Sequence, residues 1–184
     1  MTTTLAGKLL VASPALLDPN FHRTVVLLCA HDEQGAFGVV LNRPLPARVG
    51  DHLPGWTRAV AWPDQVFGGG PVEPTVAIAV GLSEEPCEEP WWTPVAGGLG
   101  LVALGEDPAA VLPTVSRLRV FSGYAGWGGG QLESELLGES WFVVDARPED
   151  AFTDNPERLW HNVLRRQPGS LAMFAFVPPD QSRN

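Results

Sequence analysis

The residues best equipped for chemistry in this 184-residue sequence fall into two groups. The first is the run Phe121-Ser122-Gly123-Tyr124-Ala125-Gly126-Trp127-Gly128-Gly129-Gly130-Gln131-Leu132-Glu133, which joins a strand-like segment to the start of a helical pattern through three consecutive glycines. A glycine-rich turn that opens a helix aims unpaired N–H groups, and the positive end of the helix dipole, at one spot. Gly128, Gly129, Gly130 and Gln131 are therefore candidate contacts for an anionic or carbonyl-bearing ligand. The same residues also suit a helix that only has to pack closely on a sheet. The second group is Arg23, Asn42 and Arg43. If the apolar segments beside them form a hairpin, the start of one strand lies near the end of the other, and two guanidiniums and an amide share one end of a sheet. That set suits carboxylate or phosphate recognition. The alternative is that Arg23 pairs with a buried acid and Asn42 satisfies turn backbone. A second glycine triplet, Gly68-Gly69-Gly70, follows Gln65-Val66-Phe67. The expectation is that several residues of both triplets border one concavity with Arg23, Asn42, Arg43 and Gln131.

Other chemistries are poorly supplied. His22, His31, His52 and His161 lack the close spacing of a helical metal pair, so neither a metal nor a cofactor is expected. His31-Asp32-Glu33 reads as a solvated hairpin, because adjacent strand residues point to opposite faces. Glu133 gains from a helix dipole without any catalytic role, and serving as a general base requires burial or a like charge beside it. There is no Gly-x-Ser-x-Gly elbow, and neither glycine triplet runs into the Gly-Lys-Ser/Thr of a phosphate loop. The leading reading is a non-catalytic binding or regulatory module whose partner is a protein or a small anionic ligand. A second is an enzyme acting on a small anionic substrate, with Glu133 or His22 as acid–base and the arginines as clamps. A third is a DNA-binding regulator using Arg158, Arg165 and Arg166 on the last helix.

These residues need elements to position them. Leu5 to Ser13 reads as a first strand stopped by Pro14, and His22 to His31 as a uniformly apolar strand placed centrally in a sheet. Asp32 to Gly35 connects it to an antiparallel partner from Phe37 to Asn42, after which Pro44 and Pro46 end regular structure. A short helix at Gly50 to Pro54 precedes strands at Thr75 to Leu82 and Gly98 to Leu104. Between those strands, Ser83 to Pro94, with four glutamates and three prolines, reads as an exposed loop. Asp107-Pro108 has the form of a helix start, with the helix running through Val111 and Leu118 despite Pro113. Leu118 to Tyr124 then returns to the sheet. Gln131 to Leu137 is a short helix ended by Gly138, and Trp141 to Asp145 a strand. The last helix is capped by Asn155, started by Pro156, and carries the apolar stripe Leu159, Trp160, Val163 and Leu164. Tyr124 and Trp127 are expected to be largely buried and to fix the Gly128-Gly129-Gly130 turn to the sheet. The order mixes hairpins with strand–helix–strand units, which gives a mixed-sheet α+β class in a single domain over residues 1–184, with a frayed polar tail from 178 to 184.

Composition narrows the partners. A formal net charge of -9, from 12 basic and 21 acidic residues, opposes approach to nucleic acid, so direct DNA contact is not expected. Cys29 sits in an apolar run and reads as a small buried hydrophobe, whereas Cys87 lies among glutamates that disfavour its thiolate. No disulfide, signal peptide or membrane-spanning run is indicated, so the default location is the cytoplasm and a membrane is not a partner.

Several stretches together resemble the YqgE/AlgH family of small bacterial proteins. They are Gly7-Lys8-Leu9-Leu10-Val11-Ala12-Ser13-Pro14, Leu17 to Cys29, Gly35 to Pro44, Phe67-Gly68-Gly69-Gly70-Pro71-Val72, Arg119 to Trp127 and Gln131-Leu132-Glu133. The resemblance implies a compact α+β fold with a mostly antiparallel, bifurcated, partly barrel-like sheet surrounded by helices. It carries no catalytic residues over to this sequence. One branch of the family is linked to transcriptional control of exopolysaccharide synthesis, which implies a regulator. After Pro71-Val72 the sequence departs from common members, with Glu73-Pro74-Thr75 where an Asp-Arg type of continuation is usual.

Overall fold

The structure is a computed structural model that describes residues 3–179. In chain order the strands are β1 (Leu9–Ala12), β2 (Val25–Asp32), β3 (Gly35–Val40), β4 (Pro44–Arg48), β5 (Gln65–Gly68), β6 (Val72–Ser83), β7 (Trp92–Ala96), β8 (Leu99–Val102), β9 (Val115–Gly128) and β10 (Trp141–Val144). The helices are α1 (Val49–His52), α2 (Pro108–Val111), α3 (Gln131–Leu137) and α4 (Pro156–Arg165), with a 3-10 segment at Gly169–Phe176 after α4. The strands form one sheet in the order β10-β1-β2-β3-β9-β6-β8-β7, with β5 on β9 and β4 on β5. Pairing is antiparallel except between β5 and β9. The result is a curled, half-barrel α+β fold with few helices.

The β2–β3 hairpin lies inside the sheet as its apolar sequence requires, with β1 on one side and β9 on the other. Both faces of β2 are covered. Val25 and Leu27 point into a core shared with Phe67, Phe121 and the α4 stripe Leu159, Trp160, Val163 and Leu164. Val26 and Leu28 point into a second core with Trp127, Leu132 and Trp141. The alternation is the period-two geometry of a strand, with no wet face from Val25 to Cys29 and with Ala30 and Asp32 exposed beyond it.

The sheet forks along β9. One edge of β9 pairs with β6 from Val115 to Tyr124, interrupted by a bulge. Its other edge pairs with β5 at Phe121 and Ser122, then with β3 from Ala125 to Gly128. Gly123 marks the change, and Gly68-Gly69-Gly70 bridges it. The Gly69 N–H donates to the Ser122 carbonyl at 2.9 Å, while the Gly69 carbonyl accepts from Val40 N–H at 2.9 Å. Gly123 has φ +76, and a Cβ there would stand 2.5 Å from the Gly70 carbonyl oxygen. Two backbones cross here at a distance that excludes side chains.

Several elements depart from the sequence expectation. β1 begins at Leu9, not Leu5, because the chain turns at Gly7 with φ +83. Pro44 and Pro46 do not end regular structure: they lie in β4, whose only sheet neighbour among the described residues is β5, and an outer strand tolerates missing donors. The acidic loop is shorter than expected, since Trp91 and Trp92 are buried and Trp92 opens β7. The helix drawn through Leu118 stops at Val111, two residues before Pro113. Gly169–Phe176 forms a 3-10 layer that periodicity did not suggest. Asn155 occupies the N-cap of α4 but makes no side-chain cap bond. The expected fraying of the tail lies, from residue 180 on, outside the described residues.

Arg119, in mid-β9, is 1 % exposed. Its guanidinium donates to the carbonyls of Thr153 (2.8 Å) and Trp62 (2.9 Å), more distantly to those of Ala151 and Ala61, and stacks over Phe67. Burial, with Arg117 adding to it and Asp154 opposing, lowers its pKa to about 10. The cation thus ties two distant loops to the central strand by dipoles alone.

Two outcomes follow from this packing. Arg119→Met orphans those buried carbonyls and should cost at least about 3 kcal/mol, read as a lower urea midpoint at unchanged m value. Cys29, buried and pushed up to about 12, should resist iodoacetamide in the native protein at pH about 8, whereas half-buried Cys87 reacts. In denaturant both should label.

Candidate functional site

The hairpin brings Arg23, Asn42 and Arg43 to one end of the sheet, and each is engaged there. The Asn42 amide closes the open end of the β2–β3 hairpin: its Oδ1 accepts from Val25 N–H at 3.0 Å and its Nδ2 donates to the Arg23 carbonyl at 2.9 Å. Arg43 donates Nη1 to the Asn20 carbonyl (2.8 Å) and Nη2 to the His22 carbonyl (3.0 Å). The residues suspected of binding an anion thus hold the turn from Asn20 to Arg23. That turn is strained, because Arg23 has φ +56, a region few branched or long side chains adopt. The Arg23 guanidinium lies 4.0 Å above the Trp160 ring and donates Nη1 to the Val177 carbonyl at 3.0 Å. Burial lowers both guanidiniums from their ordinary pKa, with Asp18 acting against it at Arg43.

The two glycine triplets do not meet. Gly68 joins the Arg43 end, its N–H donating to the Arg43 carbonyl at 2.7 Å, and Gly69 and Gly70 form the fork. Gly128, Gly129 and Gly130 pack at the opposite end, where Gly128 pairs with Gly35 and Gly129 lies against the Glu33 carbonyl. Gly70 abuts Tyr124 and Ala125 on β9, about 10 Å from Gly128, whereas the eight residues of β2 put the Arg23 end roughly 20 Å or more from the Gly128-Gly129-Gly130 turn. The single concavity expected from sequence is therefore not formed, since an antiparallel hairpin carries its turn and its open end to opposite edges. Gln131 closes the second turn itself, its Oε1 accepting from Gly128 N–H at 3.0 Å.

Beside that turn lies a polar cluster the sequence did not disclose. Glu135 on α3 accepts both Trp127 Nε1–H (2.8 Å) and Trp141 Nε1–H (2.9 Å) on one carboxylate oxygen. The two indoles pack edge to face with Phe21 against them. Trp127 is buried as expected, whereas Tyr124 is only half-buried and its hydroxyl donates to Glu73 at 3.1 Å. His31, expected to be solvated, has a side chain 3 % exposed. Leu5 N–H donates to His31 Nδ1 at 3.0 Å, which leaves the ring proton on Nε2 for Glu133 Oε1 at 2.7 Å. That bond holds the Glu133 carboxyl below its ordinary value. A histidine bonded to an acid 102 residues away leaves no local trace in sequence.

The cleft nearest the Arg23 turn has a volume of about 260 Å³ and is lined by Pro14, Leu17, His22, Arg23, Val177 and Pro178, among others. His22 faces carbonyls with both ring nitrogens, Nδ1 toward Leu16 at 3.1 Å and Nε2 toward Pro179 at 3.3 Å. Of the residues singled out as an anion site, Arg23 is the one that borders this cleft. Among the described residues no cluster of histidine, cysteine or acidic side chains could hold a metal ion, and no helix is long and apolar enough to cross a membrane.

Comparison with known proteins places the chain. A family model described as AlgH-like matches residues 9–172, and the chain belongs to that family. A UPF0301 protein of Streptomyces coelicolor is 51 % identical, over 99 % of this chain and 96 % of the relative. One of Mycobacterium avium is 41 % identical over 97 % and 90 %. A crystal structure of a Corynebacterium diphtheriae protein superposes with a TM-score of 0.89 at 32 % identity, covering 96 % of this chain and 94 % of the other. The solution structure of the AlgH protein from Pseudomonas aeruginosa gives 0.70 at 28 % identity, covering 97 % and 96 %. The fold is shared; none of these names states a reaction.

The Trp127–Glu135–Trp141 cluster generates a separable outcome. Trp127→Ala should destabilise by about 3–5 kcal/mol, the range for truncating a large buried aromatic. Trp127→Phe keeps one aromatic ring but loses the pyrrole half of the indole and its N–H, leaving Glu135 one donor short, and should cost about 1–3 kcal/mol by thermal or urea denaturation.

Proposed function

We propose that this member of the AlgH-like family is a non-catalytic binding or regulatory module that works in the cytoplasm and meets its partner at the Arg23 end of the sheet. The observation supporting this reading is how the polar groups are spent. General acid–base and clamp chemistry needs donors and bases that face substrate. Asn42 and Arg43 instead bond backbone carbonyls and amides of their own turn, and Arg119 is buried among carbonyls. His31 and Glu133 have acid–base geometry, but both His31 nitrogens are engaged and the ring is buried. What borders open space is Arg23 with His22 among apolar walls, which is equipment for holding a group in place.

DNA contact through α4 is opposed by the formal net charge of -9, and of Arg158, Arg165 and Arg166 the last is spent inside the fold while the first two stay exposed. Arg166 makes a bidentate pair with Asp150 at 2.6 and 2.7 Å, and the apolar stripe is used to dock the helix on the core.

Immobilised full-length protein, incubated with a bacterial lysate, should retain a partner that Leu17→Asp loses, because Leu17 stands at the cleft rim with 67 % of its surface exposed. Leu17→Asp should melt like the parent, as substitutions at so exposed a position usually shift stability by under about 0.5 kcal/mol. Turnover of phosphate esters or acyl substrates, abolished by His31→Gln or Glu133→Gln, would replace this reading with the enzyme.

A further inference from the structure

We infer that the cleft at Arg23 is a binding site for a carboxylate carried on a short apolar stem. The inference rests on the binding-module reading and gives its site a ligand class. Four observations support it. The lining is divided: Pro14, Leu17, Val177 and Pro178 offer hydrocarbon, while Arg23 offers the N–H groups it does not spend on the Val177 carbonyl. Among the described residues, none of those lining the cleft is acidic, in a chain with 21 acidic residues against 12 basic.

The third observation is conformational. Arg23 keeps a left-handed backbone, with φ +56, that non-glycine residues rarely adopt. The neighbours that hold it are specific: Asn42 Nδ2 on its carbonyl, Arg43 on the carbonyls of Asn20 and His22. Asn42 and Arg43 are thus positioning residues for the cation, not ligands themselves. Trp160 completes the mounting, its Nε1–H donating to the Ala12 carbonyl at 2.9 Å and its ring face lying under the guanidinium. One Nη1–H of Arg23 is donated to the Val177 carbonyl, and stacking on the indole leaves the other in-plane N–H groups for a planar acceptor, whose fork a carboxylate matches.

The fourth is size. At about 260 Å³ the cleft falls just short of the roughly 300 Å³ at which pockets for drug-sized ligands begin. Its occupant is small, and two sources share the chemistry: a medium-chain carboxylic acid, or the C-terminal apolar residue of a partner chain with its free carboxylate.

The test is titration of the full chain, followed by amide chemical shifts, with sodium octanoate, octylammonium chloride, and acetyl-Ala-Ala-Leu as free acid and as carboxamide. Octanoate, the peptide acid or both should shift Leu17, Arg23 and Val177 selectively, with octylammonium and the carboxamide at least tenfold weaker. Tighter octanoate binding assigns the site to free acids, and tighter peptide-acid binding to a protein C-terminus. Arg23→Asn, which suits the left-handed backbone, should weaken the preferred acid at least tenfold while leaving the melting temperature near the parent's. If that variant fails to fold, Leu17→Asp takes its place and should weaken the acids while sparing octylammonium. The inference is overturned if neither acid binds, if acid and amine or acid and amide bind alike, or if the variant that folds binds the acids as the parent does. Lysate partner retention that Leu17→Asp abolishes, together with no carboxylate binding, removes the ligand class alone; loss of both removes the binding site as well.

Discussion

Everything in this architecture depends on two backbones crossing without side chains between them. At Gly69 and Gly123 the strand leaving β5 passes over β9 closely enough for Gly69 to bond Ser122 on one strand and Val40 on another. The crossing lets β9 serve β5 along one stretch and β3 along the next, so a single sheet splits and curls without leaving its backbone groups unpaired. A methyl group at Gly69 or Gly70 would press into the backbone of β9. Close backbone approach accounts for Gly69 and Gly70 at the fork and for Gly129 beside the β2–β3 turn, and a φ of +77 accounts for Gly130 at the start of α3.

From that fork the two ends of the hairpin acquire different characters. The turn end is closed by internal bonds, with Gln131, Glu133 and Glu135 each satisfied by groups of the fold. The open end is where the chain's own polar residues are used to brace a strained turn, and where apolar and cationic groups share a cleft.

Local pattern carried part of this into the sequence. The β2–β3 hairpin, α3 with Gly138 after it, and the α4 stripe could be read because each is encoded within a dozen residues by periodicity and punctuation. Arg23, Asn42 and Arg43 could be brought together by hairpin geometry, though not their roles, because whether an amide binds a ligand or a turn depends on which backbone groups are left unpaired. β4 was hidden by its prolines, and β7 by the glutamates before it. The bond from His31 to Glu133 and the four carbonyls around Arg119 were illegible, since their partners are far away in sequence and, for Arg119, are backbone atoms that every residue carries. Trp127 and Tyr124 show the limit of reading by residue type: three positions apart on one strand, one meets a half-buried carboxylate and the other an exposed one.

The carbonyl setting of Arg119 has a bearing on how the protein meets acid. Contacts held by carboxylates, such as that between Lys8 and Asp145, whose pKa the ammonium lowers, add stability that is present above the ordinary carboxylate range and vanishes as pH falls through the lowered value. A peptide carbonyl has no such titration. Acidification therefore removes the small contribution of that exposed pair and leaves the carbonyl bonds of Arg119 unchanged.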